Sequence, residues 1–131
     1  MKIAITVWGE RISPVFDAAS TLLIAELSDA RIRHRELKAF RPGGCTDLLA
    51  LLRRAEVQRL ICGAICEPVV DRFETAGVEV IPFITGEVEE ILASCLDGRE
   101  LSRFIMPGCR NGRCCRGRYK FLAGGEKTFL R

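Results

Sequence analysis

Apolar runs near the start of the chain predict the first half of a β-sheet. Residues 2–8 form a β-branched run that Gly9 ends, which is typical of a buried strand. A second strand is predicted over 21–27, and a turn at 28–30 leads into a loosely alternating, polar third strand over 31–38. Residues 10–20 show no period and are interpreted as irregular. The pattern therefore predicts a three-stranded meander whose third strand lies at or near an edge.

Further along the chain, the apolar pattern alternates between the periods of a helix and of a strand. Helices are predicted where apolar residues recur three and four apart, over 46–55, 67–76 and 86–96. Thr46 and Thr85 are the predicted N-caps of the first and third helices, and Pro68 opens the second. Short strands are predicted over 59–62 and 78–82, each between two helices.

The order β-β-β-α-β-α-β-α predicts an α/β fold with a five-stranded mixed sheet and helices on its faces. We assign residues 1–103 to this domain and residues 104–131 to a C-terminal tail rich in Cys, Arg and Gly. Right-handed crossovers bring the carboxyl ends of strands one, three, four and five to one edge of the sheet. Open sheets of this kind bind ligands at that edge.

Charge and cysteine content narrow the class of protein. The net charge of the 131 residues is only +3, and much of the basic excess lies in the last thirty, which argues against a broad nucleic-acid surface. Seven cysteines, an odd number, occur without a long apolar leader or an eighteen-residue apolar run. A reducing cytoplasm with free or metal-bound thiols is therefore expected, with no membrane span.

The tail segment 107–120 holds the densest candidate chemistry. It contains three cysteines, three glycines and five basic residues, and it has too little apolar surface to build a core. We expect Cys109, Cys114 and Cys115 to bind a soft metal or an anionic iron–sulfur species as thiolates, with Arg110 and Arg113 offsetting the charge. The Cys-x4-Cys-Cys spacing fits no standard metal site, so a basic tail with inert cysteines is the alternative.

Glycines recur where predicted strands or loops reach the ligand-binding edge. Gly9, Gly44 and Gly63 are candidate cofactor-binding residues, since a backbone N–H can approach a ligand closely where there is no side chain. Cys45 follows two glycines at a predicted helix start, where a thiolate is favoured. Cys45 is therefore the fourth candidate metal ligand.

The other cysteines and the single histidine have ordinary structural interpretations. Cys62 lies in an apolar run and Cys95 on the inner face of the third helix, so both suit a core, although a ligand role for Cys62 and Cys66 stays open. His34 lies among arginines on a predicted edge strand, which favours a surface position. Asp17 is interpreted as a loop aspartate bonding its own backbone.

Four stretches of the domain match a known pattern: Met-Lys-Ile-Ala-Ile at the start, residues 12–19 (Ile-Ser-Pro-Val-Phe-Asp-Ala-Ala), residues 60–65 (Leu-Ile-Cys-Gly-Ala-Ile) and Gly-Val-Glu-Val at 77–80. Together they resemble the dinitrogenase iron–molybdenum cofactor biosynthesis family, of the NifX and NifB C-terminal type, over roughly residues 1–98. The resemblance implies a ribonuclease H-like fold and a carrier of the nitrogenase cofactor or its iron–sulfur precursors. This chain departs from the family at Val15, where members often carry a histidine regarded as a cluster ligand.

These observations favour a binding module, a non-catalytic carrier or scaffold for an iron–sulfur or iron–molybdenum-type cluster. Such a carrier would work with a donor or recipient assembly protein, in an oligomeric state that the sequence leaves open. A zinc-binding or thiol redox-sensing partner protein is the alternative, because it would use the same thiols. A nuclease is less favoured, since it needs clustered carboxylates around divalent cations, and Asp17, Glu26 and Asp71 form no obvious set.

Overall fold

A computed structural model describes residues 1–106, and the sheet in it is built around the first strand. The strands are β1 (Lys2–Trp8), β2 (Arg11–Ile12), β3 (Thr21–Ser28), β4 (Arg31–Ala39), β5 (Arg59–Ile61) and β6 (Glu79–Ile81). β1 pairs antiparallel with β3 on one side and parallel with β5 on the other. The order across the sheet is β4-β3-β1-β5-β6, so the mixed α/β architecture and the meander are confirmed.

The expectation of five strands is wrong, because the sheet formed by residues 1–106 has six. β2 lies in the segment predicted to be irregular, and it pairs antiparallel with the end of β1 through Val7–Ile12 and Trp8–Arg11. Gly9, with φ of +68°, makes the tight turn between the two strands. A strand of two residues is too short to leave an alternating pattern in the sequence, which explains the miss.

Within the described part of the chain, three helices cover the two faces of the sheet, as predicted, and each face has its own apolar core. The helices are α1 (Cys45–Arg54), α2 (Glu67–Thr75) and α3 (Val88–Leu96). Leu48 and Leu52 of α1 and Phe73 of α2 pack in one cluster with alternate side chains of the sheet. Ile91 of α3 packs in the other cluster, on the opposite face. None of the described helices is long and apolar enough to cross a bilayer.

Both threonine N-caps are wrongly predicted. α1 begins at Cys45 with Gly44 as its N-cap, and the Thr46 hydroxyl instead accepts a hydrogen bond from the Arg72 guanidinium of α2. α3 begins at Val88. The Thr85 N–H, three residues earlier, donates to the Phe104 carbonyl at 2.8 Å. Both threonines lie close to a helix start, but each forms a hydrogen bond with a residue distant in sequence and neither is an N-cap.

The last described residues fold back beside β6. They form a 3₁₀ turn at Ser102–Phe104, followed by a bridge between Ile105 and Ile84. Phe104 and Ile105 are buried in the core on the α3 face. The division of the chain after residue 103 stays a prediction, because most of the tail lies outside the described residues.

Candidate functional site

The carboxyl ends of β1, β4, β5 and β6 meet at one edge of the sheet, as the sequence predicts. Val7 near the end of β1 pairs with Thr21, and Thr21 pairs with Ala39, the last residue of β4. On the other side, β5 and β6 run parallel to β1 and end in step with each other at Ile61 and Ile81. We call this edge and its loops, residues 8–20, 40–45, 62–66 and 82–87, the rim.

Two rim loops are locked together around Gly63. The Phe16 N–H donates to the Ala64 carbonyl at 2.8 Å, and the Ala64 N–H donates to the Pro14 carbonyl at 2.8 Å. A Cβ on Gly63 would lie only 2.4 Å from the carbonyl oxygens of Ser13 and Pro14. The absence of a side chain at Gly63 is therefore required by the packing of the chain itself, and its ligand-binding role stays a prediction.

The other two candidate glycines also lie on the rim. Gly9 is in the turn that joins β1 to β2, and a Cβ there would meet no atom within 4 Å. Gly44 is the N-cap of α1, and a Cβ there would lie 3.1 Å from the Arg41 carbonyl oxygen. The space around Gly9 leaves its backbone open to approach from solvent, and both assignments remain predictions.

Two thiols lie where helices begin on the rim. Cys45, the first residue of α1, is half-buried against the core shared by α1 and α2. Cys66 is the N-cap of α2, and its side chain is exposed. The amino end of a helix carries a partial positive charge, which favours thiolate and anionic ligands. Sequence reasoning ranked Cys45 first, and the structure shows that Cys66 is the more accessible of the two.

The interpretation of Cys62 and Cys95 as core residues agrees with their environments. Cys62 follows β5 and is completely buried, and burial raises the pKa of its thiol far above the ordinary range. Cys95 packs against the core on the α3 face. Burial raises the pKa of Cys95 to about 11, although the positive charge of Arg59 opposes the shift. Neither thiol is suited to ionise near neutral pH.

Within residues 1–106, no three His, Cys, Asp or Glu side chains are grouped so that they could hold a metal ion. His34 is exposed on β4, with its Nε2 3.6 Å from the Glu36 carboxylate, as a surface position predicts. Asp17 lies in a 3₁₀ turn, Phe16–Ala18. The remaining predicted site residues, Cys109, Cys114, Cys115, Arg110 and Arg113, lie outside the described residues.

An apolar groove of about 520 Å³ opens on the rim, and sequence reasoning missed it. We call it the rim groove; it is lined by residues from the end of β1, from the loop that follows β2, from the start of β3 and from β4, chiefly Val7, Trp8, Pro14, Val15, Ala18 and Leu37. Trp8 is 73% exposed and Leu37 66% exposed, which is unusual for side chains of their size. The sequence feature that could have indicated the groove is Trp8, a tryptophan at the end of a buried strand.

A known protein family resembles this chain in sequence, and solved structures resemble it in fold. The family model described as dinitrogenase iron–molybdenum cofactor matches residues 1–98. No curated protein matches the chain in sequence. Several solved structures share its fold, and at identities near 20% they show the fold alone.

Three of the solved structures with a similar fold are described here. A candidate dinitrogenase from Methanocaldococcus jannaschii is 20% identical with a TM-score of 0.61, over 75% of this chain and 89% of that one. A candidate NifB protein from Thermotoga, placed in the DUF35 family, is 22% identical with a TM-score of 0.60, over 75% and 89%. The apo form of the orange protein from Desulfovibrio gigas is 19% identical with a TM-score of 0.59, over 75% and 88%.

Proposed function

Because the chain belongs to the dinitrogenase iron–molybdenum cofactor family, we propose that it is a non-catalytic carrier whose cargo is a metallocluster. The cargo is an iron–sulfur or iron–molybdenum-type cluster, which the protein receives from one assembly protein and delivers to another. The proposal assigns the carrier to a reducing cytoplasm, where thiols stay free to bind metal. The four cysteines among the described residues are all free thiols, which supports this assignment.

One hydrogen bond carries the proposal. The Met106 N–H donates to the Phe83 carbonyl at 2.8 Å, next to the point where the Phe83 N–H donates to Gly63 on the rim. The part of the tail that carries the cysteines therefore follows directly from a residue held at the rim. Cys109 follows three residues later, within about 10 Å of Met106 along an extended backbone. This proximity supports a shared site for the tail thiolates and the thiols of the rim.

We assign Cys109, Cys114 and Cys115 as ligands from the tail and Cys45 as the fourth ligand, from the rim. Four thiolates are the usual ligand set of an iron–sulfur cluster. Cys66 competes with Cys45 for the fourth position, since it is exposed and also lies at a helix start. The choice between Cys45 and Cys66 can be tested directly by substitution.

The charges near the proposed site suit an anionic cargo. The amino ends of α1 and α2 direct their positive poles at the rim. Arg110 and Arg113 of the tail would add two cations close to the thiolates, and the backbone of Gly9 and Gly63 would supply N–H groups at short range. The Gly44 N–H already donates to the Arg41 carbonyl at 3.0 Å, so Gly44 would contribute close approach of its backbone rather than a free donor. The protein residues would thus bind the cluster, offset its charge and shield it on one side.

We also infer a ribonuclease H-like topology for the domain, as the resemblance implies. The support is the strand order β4-β3-β1-β5-β6, in which the antiparallel β3 separates β1 from β4. The inference concerns topology alone. A ribonuclease H-like topology does not by itself assign a nuclease activity, because function depends on the residues of the site rather than on the fold.

Metal analysis of the full chain purified without oxygen tests the proposal. We expect iron and acid-labile sulfide, with the visible absorption of a thiolate-ligated cluster. A colourless protein that contains zinc would overturn the cluster proposal and favour the zinc-binding alternative. Cys45→Ser is expected to lower the iron content, and Cys66→Ser serves as the matched control at the neighbouring helix start. The reverse result would assign the fourth ligand to Cys66.

A further inference from the structure

We propose that the rim groove is the docking site of the chain's own residues 119–122, Tyr-Lys-Phe-Leu. The groove belongs to the described domain and its occupant to the tail, whose last described residue, Met106, is hydrogen-bonded on the same rim. The inference does not depend on the cargo, because docking needs apolar contact and charge but no metal. It identifies what covers the most exposed apolar surface of the domain.

The groove needs an apolar occupant. Trp8, Leu37 and Val15 are 73%, 66% and 44% exposed, and all three border the same groove. A cluster of large apolar side chains on a surface marks a site of interaction more often than isolated ones do. The remaining lining is also largely apolar or small, with Val7, Pro14 and Ala18 among its members. An aromatic side chain with an aliphatic neighbour matches this lining.

The charge beside the groove selects a basic occupant. A second cleft of about 380 Å³ adjoins it, sharing Val7, Gly9 and Leu37, and adds the carboxylates of Glu10, Glu87 and Glu89. Arg35 and Arg11 offset part of this charge, at 2.9 Å from Glu89 and 3.9 Å from Glu87. No ion pair of Glu10 occurs within the described part of the chain.

The net charges of the two parts of the chain are complementary. Residues 1–106 contain 13 Lys and Arg against 16 Asp and Glu, a net charge of −3. Residues 107–131 contain seven Lys and Arg against one Glu, a net charge of +6. Arg118 and Lys120 flank Tyr119, so the basic and apolar side chains needed for the two adjoining clefts occur together.

Covalent geometry allows this segment to reach the groove. The Met106 N–H is hydrogen-bonded to the Phe83 carbonyl, just after the end of β6. The far wall of the groove is Leu37 on β4. These strands are four interstrand spacings apart, or roughly 19 Å. The twelve residues 107–118 span at most about 40 Å when fully extended. The tail can therefore cross the rim and still have length for its cysteines to turn toward the thiols of the domain.

The chain provides its own spectroscopic pair for a test, because Trp8 is its only tryptophan and Tyr119 its only tyrosine. Energy transfer from the phenol of Tyr119 to the indole of Trp8 requires the two rings to lie close together. We expect Tyr119 emission in the metal-free full chain to be strongly reduced compared with a Trp8→Phe variant. Phe121→Ser with Leu122→Ser should restore the emission, whereas the matched pair Phe129→Ser with Leu130→Ser should leave transfer unchanged.

Each outcome decides the proposal. Transfer that is lost only with the 121/122 pair supports it, provided that circular dichroism shows both variants folded. Transfer in a mixture of Trp8→Phe and Tyr119→Phe chains, but not within one chain, would assign the groove to a second copy and overturn the proposal. Absence of energy transfer would also overturn the proposal. Acrylamide quenching would then show whether Trp8 is open to solvent or is shielded by another partner. None of these outcomes depends on iron uptake, so they are distinguishable from failure of the carrier proposal.

Discussion

Gly63 is the residue on which the geometry of the rim depends most. Its backbone approaches Ser13 and Pro14 so closely that any side chain would meet two carbonyl oxygens. The Pro14 carbonyl oxygen accepts the Ala64 N–H, so it cannot move away without breaking the hydrogen bond that joins the two loops. The glycine in the Ile-Cys-Gly run thus has a structural function that is independent of any ligand.

We expect Gly63→Ala to lower the free energy of unfolding by about 1–3 kcal/mol, the usual cost of forcing extra volume into a packed site. Urea unfolding measures the change. Gly44→Ala is the control, because its Cβ would come no closer than 3.1 Å to another atom, the Arg41 carbonyl oxygen. If Gly63→Ala were as stable as the original chain, the tight contact between the two loops would be refuted.

The buried thiols predict a loss of stability at alkaline pH. Burial raises the pKa of Cys95 to about 11 and that of Cys62 further, so both stay protonated in the folded chain. In the unfolded chain a cysteine ionises near pH 8.5, at about its ordinary pKa. The unfolded state then binds fewer protons, so the free energy of unfolding falls as pH rises, by up to about 1.4 kcal/mol per pH unit for each thiol.

For Cys95 this loss is confined to about pH 8.5–11, between the pKa values of the unfolded and folded states. A chain carrying Cys62→Ala and Cys95→Ala should be less stable near neutral pH, yet its stability should fall less steeply over that interval. Urea unfolding at several pH values gives both slopes. Equal slopes would contradict the burial of these thiols.

Among the strands and helices, those with a long apolar period were predictable and those fixed by tertiary contacts were not. The run at β1 and the leucines of α1 place both elements correctly, because their periods reflect burial. The strand β2 and the start of α3 depend on the Ile12 N–H bond to Gly86 and the Thr85 N–H bond to Phe104. Such bonds join residues that are distant in sequence and leave no local pattern.

The turn between β1 and β2 can be tested at Gly9. Its φ of +68° costs a residue with a side chain about 1–2 kcal/mol, although a Cβ there would touch nothing. Gly9→Ala should therefore reduce stability by about that amount, and Gly9→Asn by less, since Asn tolerates this conformation better. Amide exchange of Ser13, whose N–H donates to the Thr6 carbonyl of β1 at 2.9 Å, should accelerate in the alanine variant. Unchanged exchange would argue against the β1–β2 pairing.

In the molecule as a whole, the sequence locates the functional edge but not the exposure of its side chains. Strand directions derived from the order of elements bring Cys45, Cys66 and the three candidate glycines to one rim, and the structure agrees. Which thiol is exposed depends on how each helix packs, so Cys66 was underrated. The exposed Trp8 was missed for a similar reason, because periodicity does not reveal where a neighbouring element stops covering a strand.

Cluster uptake by the tail is the central claim, and anaerobic reconstitution with iron and sulfide tests it most directly. The variant Cys109→Ser, Cys114→Ser, Cys115→Ser should take up no iron, and its thermal midpoint should stay nearly unchanged because the two core clusters are built from residues 3–105. The matched control Cys95→Ser should keep the iron and lose about 1–3 kcal/mol of stability, since it leaves a poorly paired hydroxyl in the core. A full complement of cluster in the triple variant would contradict the account and move the site to Cys45 and Cys66.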